Sequence, residues 1–212
     1  MSDRPRLVAV EVRAEPSAWR AAGFAVGEDG RCRIGTTDVV LRGGEGGFAG
    51  WTIAGAVPAQ DGLDGVPTTL APSGDAAPSG AHPNGVVAID HVVLATPDTA
   101  RTFATLQAAG FALRRVADAG SAERPLRQGF FLFADVLLEV VGPPEAASAT
   151  AADPAALWGI TLVAPDLDAA AAAFGDGRLS QPRDAVQPGR RIAVVAREAA
   201  LGVRVALMTP RS

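Results

Sequence analysis

The pattern of apolar and polar positions repeats along this chain. Residues 89–98 read IDHVVLATPD, an apolar run closed by a turn signal, and the same stretch ends in the apolar run LLEVVG at 137–142. Residues 157–210 follow the same plan, with GITLVAPD at 159–166 and a closing apolar run at 203–208. Each copy predicts a strand, then a helix, then further strands. Such a repeat indicates one structural module that is used more than once.

Turn and capping residues set the limits of the predicted elements. Asp98 or Thr96 caps a helix that ends at Gly110, because Asp and Thr favour helix starts and glycine favours helix ends. In the second copy the helix follows Asp166 and runs to Phe174. The strands predicted for the two copies are residues 91–94, 111–115, 129–133, 136–141, 160–163, 191–196 and 203–208.

The first part of the chain carries a shorter version of the pattern. Residues 21–24 and 108–111 both read AAGF, and DVVLRG at 38–43 resembles DVLLEV at 135–140. We therefore expect this part to be a reduced copy of the same module. The elements predicted here are a strand at 7–13, a helix at 16–22 and a further strand at 51–54.

Two stretches of low complexity divide the chain. Residues 58–85 hold five prolines and five glycines with little periodicity, and residues 142–156 form a shorter connection. The predicted organisation is a degenerate N-terminal module at 1–57, a Pro/Gly-rich linker at 58–85 and a two-module domain at 86–212. The modules of that domain are predicted at residues 86–143 and 157–212.

Composition and charge narrow the function classes. With 48% hydrophobic and 20% charged residues, the chain has the composition of an ordinary soluble protein. A net charge of −4 gives no reason to expect nucleic acid as a partner. No apolar run approaches the roughly 18 residues of a membrane-spanning helix, and no signal-peptide core follows the N-terminus. Because the single Cys32 cannot form an internal disulfide, we expect a reducing, cytoplasmic location and no membrane partner.

Three of these motifs resemble a known group of proteins. They are IDHVVLATPD at 89–98, LLEVVGP at 137–143, and GITLV at 159–163 running into PDLDAA at 165–170. Together they resemble the vicinal oxygen chelate superfamily (glyoxalase/bleomycin resistance protein/dioxygenase), and they look most like its glyoxalase-like domain. The resemblance covers residues 86–210 well and residues 6–57 loosely. It implies an α+β fold of tandem βαβββ modules whose curved mixed sheets enclose a cleft, with a shorter degenerate module at the N-terminus.

The resemblance also implies where a metal would bind. In the superfamily each module typically offers one ligand from its first strand and one from its last strand, which here are His91 and Glu139. Counting the same distance back from the turn signal of the third segment gives Gly159 in place of His91. Counting back from the proline after the last strand gives Ala206 in place of Glu139. Half of the implied ligand set is therefore missing.

The first segment does not restore these ligands, since its corresponding residues are about Ala9 and Arg42. A divalent ion of this kind needs three or more protein donors, or two donors and several waters at a loss of affinity. We therefore expect no cofactor. The alternative is a divalent metal held weakly by His91 and Glu139, with further donors from the substrate or from His82.

Glu139 and His91 are also the candidate catalytic residues. Alternation along the last strand places Glu139 on the face of Leu137 and Val141, where an ionised carboxylate needs a partner or solvent. We expect Glu139 to line a polar cleft and to act as a general acid or base, with His91 as its partner. The alternative for His91 is a strand histidine that is hydrogen-bonded to the backbone or to Asp90.

Four residues are candidates for binding the substrate. Arg204 and Thr161 would reach the cleft of Glu139 if the two modules are related by the twofold axis of the superfamily, and a solvated Arg204 is the alternative. Trp158 is either a stacking wall for a planar ligand or a core residue. The candidate substrate-binding residues are Thr161, Arg204, Gln128 and Trp158.

Several other residues have two interpretations. Arg190 and Arg191 either approach the cleft or form a solvent-facing pair after a turn. Cys32 lies between two arginines that would lower its pKa, yet without a catalytic partner it is interpreted as an incidental strand residue. Residues 82–85 read HPNG, which favours a surface turn.

Two function classes stay open at this level. The first is an enzyme of lyase, isomerase or dioxygenase type in which Glu139 acts on a small carbonyl-bearing substrate. The alternative is a metal-free protein of the bleomycin-resistance type that binds or sequesters a small molecule. In both cases the expected partner is a small-molecule ligand. Because three modules do not close in pairs, we expect the second and third to close the cleft and residues 6–57 either to pack as an appendage or to pair across a homodimer interface.

Overall fold

A computed structural model describes residues 4–56, 62–74, 77–146 and 152–211. The protein is an α+β fold with few helices and curved mixed sheets, as the sequence predicts. The chain divides into two compact units that interleave distant segments. The first unit is Met1–Val8, Gly50–Gly74 and His91–Trp158, and the second is Ala9–Ala49, Asp75–Asp90 and Gly159–Ser212. Within the described residues, no helix is long and apolar enough to span a membrane.

The strands and helices follow the three-segment order of the sequence pattern. The strands are β1 (Arg6–Val12), β2 (Arg31–Ile34), β3 (Thr37–Leu41), β4 (Phe48–Ala54), β5 (Thr68–Ala71), β6 (Ala88–Ala95), β7 (Ala112–Gly120), β8 (Pro125–Leu132), β9 (Leu137–Gly142), β10 (Ala156–Val163), β11 (Arg183–Asp184), β12 (Arg191–Val194) and β13 (Arg204–Met208). The α-helices are α1 (Pro16–Ala21), α2 (Thr99–Ala108) and α3 (Leu167–Phe174), and Arg197–Ala199 is a 3-10 helix.

In the first unit, the second segment forms a complete βαβββ module. β9 runs parallel to the first strand β6 and antiparallel to β8, which in turn pairs with β7. The register of the parallel pair places His91 opposite Leu137 and Val93 opposite Glu139. The first and last strands of the module are therefore neighbours, although a helix and two strands separate them in sequence.

The helix α2 forms where the capping residues predict it. The Asp98 side chain accepts a hydrogen bond from the backbone of Arg101 at 3.0 Å, and the chain turns after the helix at Gly110, whose φ is +95°. On the buried side of the module, the ring of Phe103 lies 5.5 Å from that of Phe131 in an edge-on arrangement. This packing fixes one face of β8 and β9 as the core face.

The second unit contains a second complete module from the third segment. β13 pairs in parallel with β10 and antiparallel with β12, and β12 pairs with β11. The Asp166 side chain caps α3 by accepting from the backbone of Asp168 and Ala169. The two modules therefore have the same strand order, as their shared sequence pattern predicts.

The second unit also holds most of the first segment. Residues 9–12 of β1 pair in parallel with β3, which pairs antiparallel with β2. Trp19 of α1 is fully buried, and its indole nitrogen donates to the backbone oxygen of Leu201 at 3.1 Å. Phe24 then contacts Phe174 of α3, with ring centroids 5.9 Å apart. The first segment thus shares a core with the third.

The stretch predicted as a linker is not all loop. Within it β5 forms a parallel ladder with β4, in which Trp51 lies opposite Thr68 and donates to its hydroxyl oxygen at 2.7 Å. The Asp64 carboxylate accepts from the Arg101 side chain at 2.6 Å. The first and last strands of every module are likewise parallel, so β4 and β5 have the relation of such a pair. The domain boundaries proposed from the sequence stay a prediction.

Candidate functional site

The first unit brings together three of the predicted site residues. The Gln128 amide donates to Oε1 of Glu139 at 2.7 Å, and Nε2 of His91 lies 3.6 Å from Oε2 of the same carboxylate. The exposed fractions of the His91 and Glu139 side chains are 10% and 16%, so both are largely withdrawn from solvent. We call these three residues the Glu139 cluster.

Strand alternation places the Glu139 cluster on the open face of the module. Along β9 half-buried and buried residues alternate, and Glu139 belongs to the half-buried set while its neighbours face the core. Residues opposite each other in a ladder point to the same side, so Phe130 of β8 and Arg115 of β7 share this face with Glu139. The guanidinium of Arg115 lies over the Phe130 ring, 5.1 Å from its centroid.

The donor set does not fit a resident divalent metal. His91 and Glu139 supply one imidazole and one carboxylate, and Gln128 points its amide nitrogen at that carboxylate. In the described ranges of the chain, no three His, Cys, Asp or Glu side chains are grouped closely enough to hold a metal ion. Metal sites of these ligand types that hold their ion tightly use three or four protein donors. Two donors, one of which is engaged by Gln128, fall short of that requirement.

The ladders of the second unit identify the counterparts of the cluster in the third segment. Gly159 lies opposite Arg204 and Thr161 opposite Ala206, as His91 lies opposite Leu137 and Val93 opposite Glu139. Gln128 lies opposite Val141 at the end of β9, and Ile192 lies opposite Met208 at the end of β13. The counterparts of His91, Glu139 and Gln128 are therefore Gly159, Ala206 and Ile192. All three polar side chains are replaced by small or apolar ones.

The first segment differs from what counting along the sequence indicates. Ala9 lies opposite Asp38, so the residue in the place of Glu139 is Val40 and not Arg42. Arg42 instead forms an ion pair with Glu11 at 3.1 Å. The ladder thus places Asp38 in the position of Leu137, two residues out of step with the match between DVVLRG at 38–43 and DVLLEV at 135–140.

Thr161 and Arg204 lie in the second unit, on the paired strands β10 and β13. Thr161 is buried opposite Ala206, whereas Arg204 is exposed opposite Gly159. They share one face of the β10 and β13 ladder, as strand alternation predicts. Their proposed role at the cleft of Glu139 stays a prediction. Trp158 is 48% exposed, so the interpretation as a core residue is wrong.

Other candidates have structural partners away from the cluster. Arg190 is buried and donates to the Asp90 carboxylate at 2.7 Å, so it is neither a cleft residue nor half of a solvent-facing pair. Arg191 is exposed and pairs with Asp168 at 3.4 Å. Asp90, one of the partners considered for His91, is thus bound by arginine.

His82 and Cys32 are both buried, and Cys32 lies in a strand as the sequence predicts. The turn predicted at residues 82–85 forms, with the Gly85 N–H donating to the His82 backbone oxygen at 2.8 Å. The His82 side chain is nevertheless 5% exposed, and its Nδ1 accepts from the backbone of Ala25 at 3.0 Å. Burial, with a smaller contribution from the Asp38 carboxylate, raises the pKa of the Cys32 thiol to about 12. The flanking arginines do not lower it because Asp38 accepts hydrogen bonds from both. Cys32 is an inert strand residue.

Sequence reasoning missed Arg115 and Phe130. Alternation along β8 could have placed Phe130 on the face of Gln128, because the two are separated by one residue. Arg115 had no comparable signal. Its register with Phe130 depends on an irregularity between Leu113 and Arg115, which the sequence does not reveal.

Comparison with solved structures identifies the fold. A mutant of 4-hydroxymandelate synthase from Streptomyces coelicolor aligns at a TM-score of 0.62 and 11% identity, covering 98% of this chain and 94% of that chain. A xylose isomerase-like TIM barrel/4-hydroxyphenylpyruvate dioxygenase fusion protein has the same TM-score of 0.62 and identity of 11%, covering 98% of this chain and 49% of that chain. The chain therefore has the fold of the vicinal oxygen chelate superfamily.

A further similar structure covers less of the chain. Methylmalonyl-CoA epimerase from Mycobacterium tuberculosis aligns with 60% of this chain and 91% of its own length, at 19% identity and a TM-score of 0.46. No protein-family model matches the sequence, and no curated protein matches it.

Proposed function

We propose that the protein is a small-molecule enzyme in which the Glu139 cluster transfers a proton without a resident metal ion. The observation that carries the proposal is the asymmetric environment of the carboxylate. Gln128 holds Oε1 of Glu139 at 2.7 Å, while Oε2 lies 3.6 Å from the imidazole of His91. One oxygen is fixed and the other has an acid–base partner beside it, which is the arrangement that proton transfer requires.

The chemistry follows from these three side chains. Glu139 takes a proton from a carbon next to a carbonyl group: the C–H bond breaks, its electron pair forms the enolate, and the proton moves to Oε2. His91 then donates a hydrogen bond to the enolate oxygen, which stabilises the developing charge. The proton on the carboxylic acid exchanges with solvent, and its return to the same face of that carbon re-forms the C–H bond and completes a hydrogen exchange. No oxidant or metal takes part in this step.

The fold likeness supports an enzyme rather than a structural protein. Two solved structures that align over 98% of the chain are described as a synthase and a dioxygenase. Both names denote chemistry on small molecules, and the open face of this module offers a carboxylate, an imidazole and an aromatic ring to such a molecule. Fold alone does not carry a reaction from one protein to another, so the proposal depends on the Glu139 cluster.

A metal-free binding protein is the second candidate, and one observation favours it. All three cluster positions in the third segment have lost their polar side chains, to Gly159, Ala206 and Ile192. A protein that only binds a ligand needs fewer polar groups than an enzyme. In that case Glu139 would hydrogen-bond the ligand and remain chemically passive.

Deuterium incorporation separates the two candidates without knowledge of the natural substrate. Chelator-treated protein in D2O is incubated with 2-oxobutyrate, 2-oxo-4-phenylbutyrate and 4-phenylbutan-2-one, and loss of the C–H signal next to the carbonyl is followed by NMR. We expect exchange above the buffer rate for at least one compound, reduced by about 100-fold or more in Glu139→Gln. The Asp118→Asn variant, which changes an exposed carboxylate, serves as the control and is expected to keep the rate.

Two results would contradict the proposal of a metal-free enzyme. If a compound binds, as detected by saturation-transfer NMR, but does not exchange, the protein is a binder. If exchange appears only after a divalent metal is added back, the metal-free step is wrong.

A further inference from the structure

We infer that Arg115 is the anion-binding residue of this site, so the substrate class is a small carbonyl compound that carries a carboxylate. This inference rests on the proposed function, because it names the substrate of the same site. The observation behind it is one row of side chains across four strands: Arg115, Phe130, Glu139 and Val93.

The row sets the distance between the cation and the base. Neighbouring strands are about 4.8 Å apart, so the backbones at Arg115 and Glu139 are separated by about 10 Å. The guanidinium lies over the Phe130 ring and therefore above the strand next to Glu139. A small molecule whose carboxylate is two or three bonds from its acidic carbon fits between these two groups.

Arg115 shares the strand face of Glu139, and two other arginines of the unit are already paired with carboxylates. Arg101 is neutralised by Asp64 at 2.6 Å, and Arg127 by Asp118 at 3.0 Å. Arg127 also faces the opposite side of the sheet, because it is adjacent to Gln128 on β8 and consecutive strand residues point to opposite faces. Among the described residues, no carboxylate lies within ion-pair distance of Arg115. Its positive charge is therefore available to a ligand.

Chemistry favours a carboxylate as the group that Arg115 recognises. The guanidinium is planar and presents paired donors that match a carboxylate in a two-pronged contact. The contact with the Phe130 ring reduces the conformational freedom of the Arg115 side chain, so less entropy is lost on binding. A positive charge near the base also stabilises the enolate that forms next to the carboxylate. Binding and proton transfer thus draw on the same side chain.

A matched pair of probes tests the inference. The compound 2-oxo-4-phenylbutyrate carries the carboxylate, and 4-phenylbutan-2-one has the same phenyl chain and ketone without it. Binding of each is measured by titration with saturation-transfer NMR on the full chain, independently of exchange. We expect the acid to bind at least about 10-fold more tightly than the ketone, as a charged hydrogen-bonded contact allows.

Three variants identify the residue responsible. Arg115→Ala should remove the preference for the acid and leave the affinity for the ketone unchanged, while Arg115→Lys should keep part of it. Arg124→Ala removes the same charge from the exposed turn before β8 and should behave as the unmodified protein. Circular dichroism of each variant confirms that it is folded.

The outcomes separate this inference from the proposed function. Equal affinities for acid and ketone, an equal effect of Arg124→Ala, or no binding of either probe would overturn the role of Arg115. If exchange is absent but the preference depends on Arg115, the anion site stands and the catalytic proposal fails. If exchange depends on Glu139 while the preference does not depend on Arg115, the catalytic proposal stands and the substrate class is wrong.

Discussion

The ionised carboxylate of Glu139 lies on a half-buried strand face and needs polar neighbours to stabilise its charge. Removing a carboxylate from water costs several kcal/mol (order of magnitude) unless hydrogen bonds replace its hydration. Gln128 supplies one such bond and His91 is a nearby partner for the second oxygen. In the third segment the carboxylate position is Ala206, and the positions of both partners have become Ile192 and Gly159. The three residues are therefore present or absent as a group.

His91 and Glu139 could be paired from the sequence because each lies a fixed distance from a turn signal. That distance is set by strand geometry, which the repeat preserves. Arg190 shows the opposite case, since nothing in the sequence indicates that it is buried against Asp90, 100 residues earlier. A buried charge needs a partner of opposite charge, and here that partner comes from a distant part of the chain. The local sequence around Arg190 therefore does not predict its burial.

Cys32 provides a test at the scale of one residue. The side chain is fully buried and its pKa is raised to about 12, so the reactive thiolate is almost absent at neutral pH. We expect the native protein to resist modification by Ellman's reagent at pH 8 and to react fully in concentrated urea. Rapid stoichiometric labelling of the native protein would contradict this burial.

At the scale of elements, the sequence predicts the positions of the helices more accurately than those of the strands. The caps Asp98 and Asp166 start α2 and α3 at the predicted places, because a capping side chain bonds the backbone within its own turn. β5 was not predicted, because its four residues TTLA do not alternate between apolar and polar side chains. All four are half-buried or exposed. It is a strand because β4 lies beside it, and that pairing is not a local property.

Gly129 tests the packing of α2 on β8. A Cβ at this position would overlap the ring of Phe103, which lies directly on the glycine. We expect Gly129→Ala to lower the free energy of unfolding by about 1–3 kcal/mol, because overpacking displaces the ring. Urea denaturation followed by circular dichroism measures the change. Gly80→Ala, where no atom lies within 4 Å, is the matched control and should change the stability little.

His82 joins the segment before β6 to the segment after α1, and this contact should respond to pH. Nδ1 must be unprotonated to accept from Ala25, and burial lowers the pKa of His82 against a smaller opposing effect of the Arg33 backbone. The unfolded chain therefore binds a proton more readily, so stability is full above about pH 6.5 and falls as the pH is lowered through the folded pKa.

Denaturation of His82→Gln measures that contribution. The glutamine removes the titration, so the loss of stability between pH 7.5 and pH 5 should be smaller in the variant than in the unmodified protein. Since the chain has two histidines, His91→Gln serves as the comparison. An unchanged pH dependence in His82→Gln would show that another group titrates.

At the scale of the whole molecule, each unit combines a complete module with part of the first segment. Phe24, in the segment after α1, contacts Phe174 of α3 in the second unit. In the first unit Trp51 of β4 contacts Phe133, with ring centroids 6.0 Å apart. The repeat in the sequence predicts the modules but not which of them shares a core with residues 6–57. That choice depends on the shapes of apolar surfaces that only form once the modules have folded.

The adjacent residues Arg190 and Arg191 allow a buried and an exposed ion pair to be compared for their contribution to stability. Arg190 and Asp90 have exposed side-chain fractions of 4% and 5%, whereas Arg191 and Asp168 have 46% and 73%. Asp90→Asn leaves a buried guanidinium without its carboxylate, and we expect a loss of about 3–5 kcal/mol in the free energy of unfolding. Asp168→Asn breaks an exposed pair of the same type and should cost less than about 1 kcal/mol. Urea denaturation at pH 7 compares the two, and equal losses would mean that the buried ion pair does not hold the ends of the second unit together.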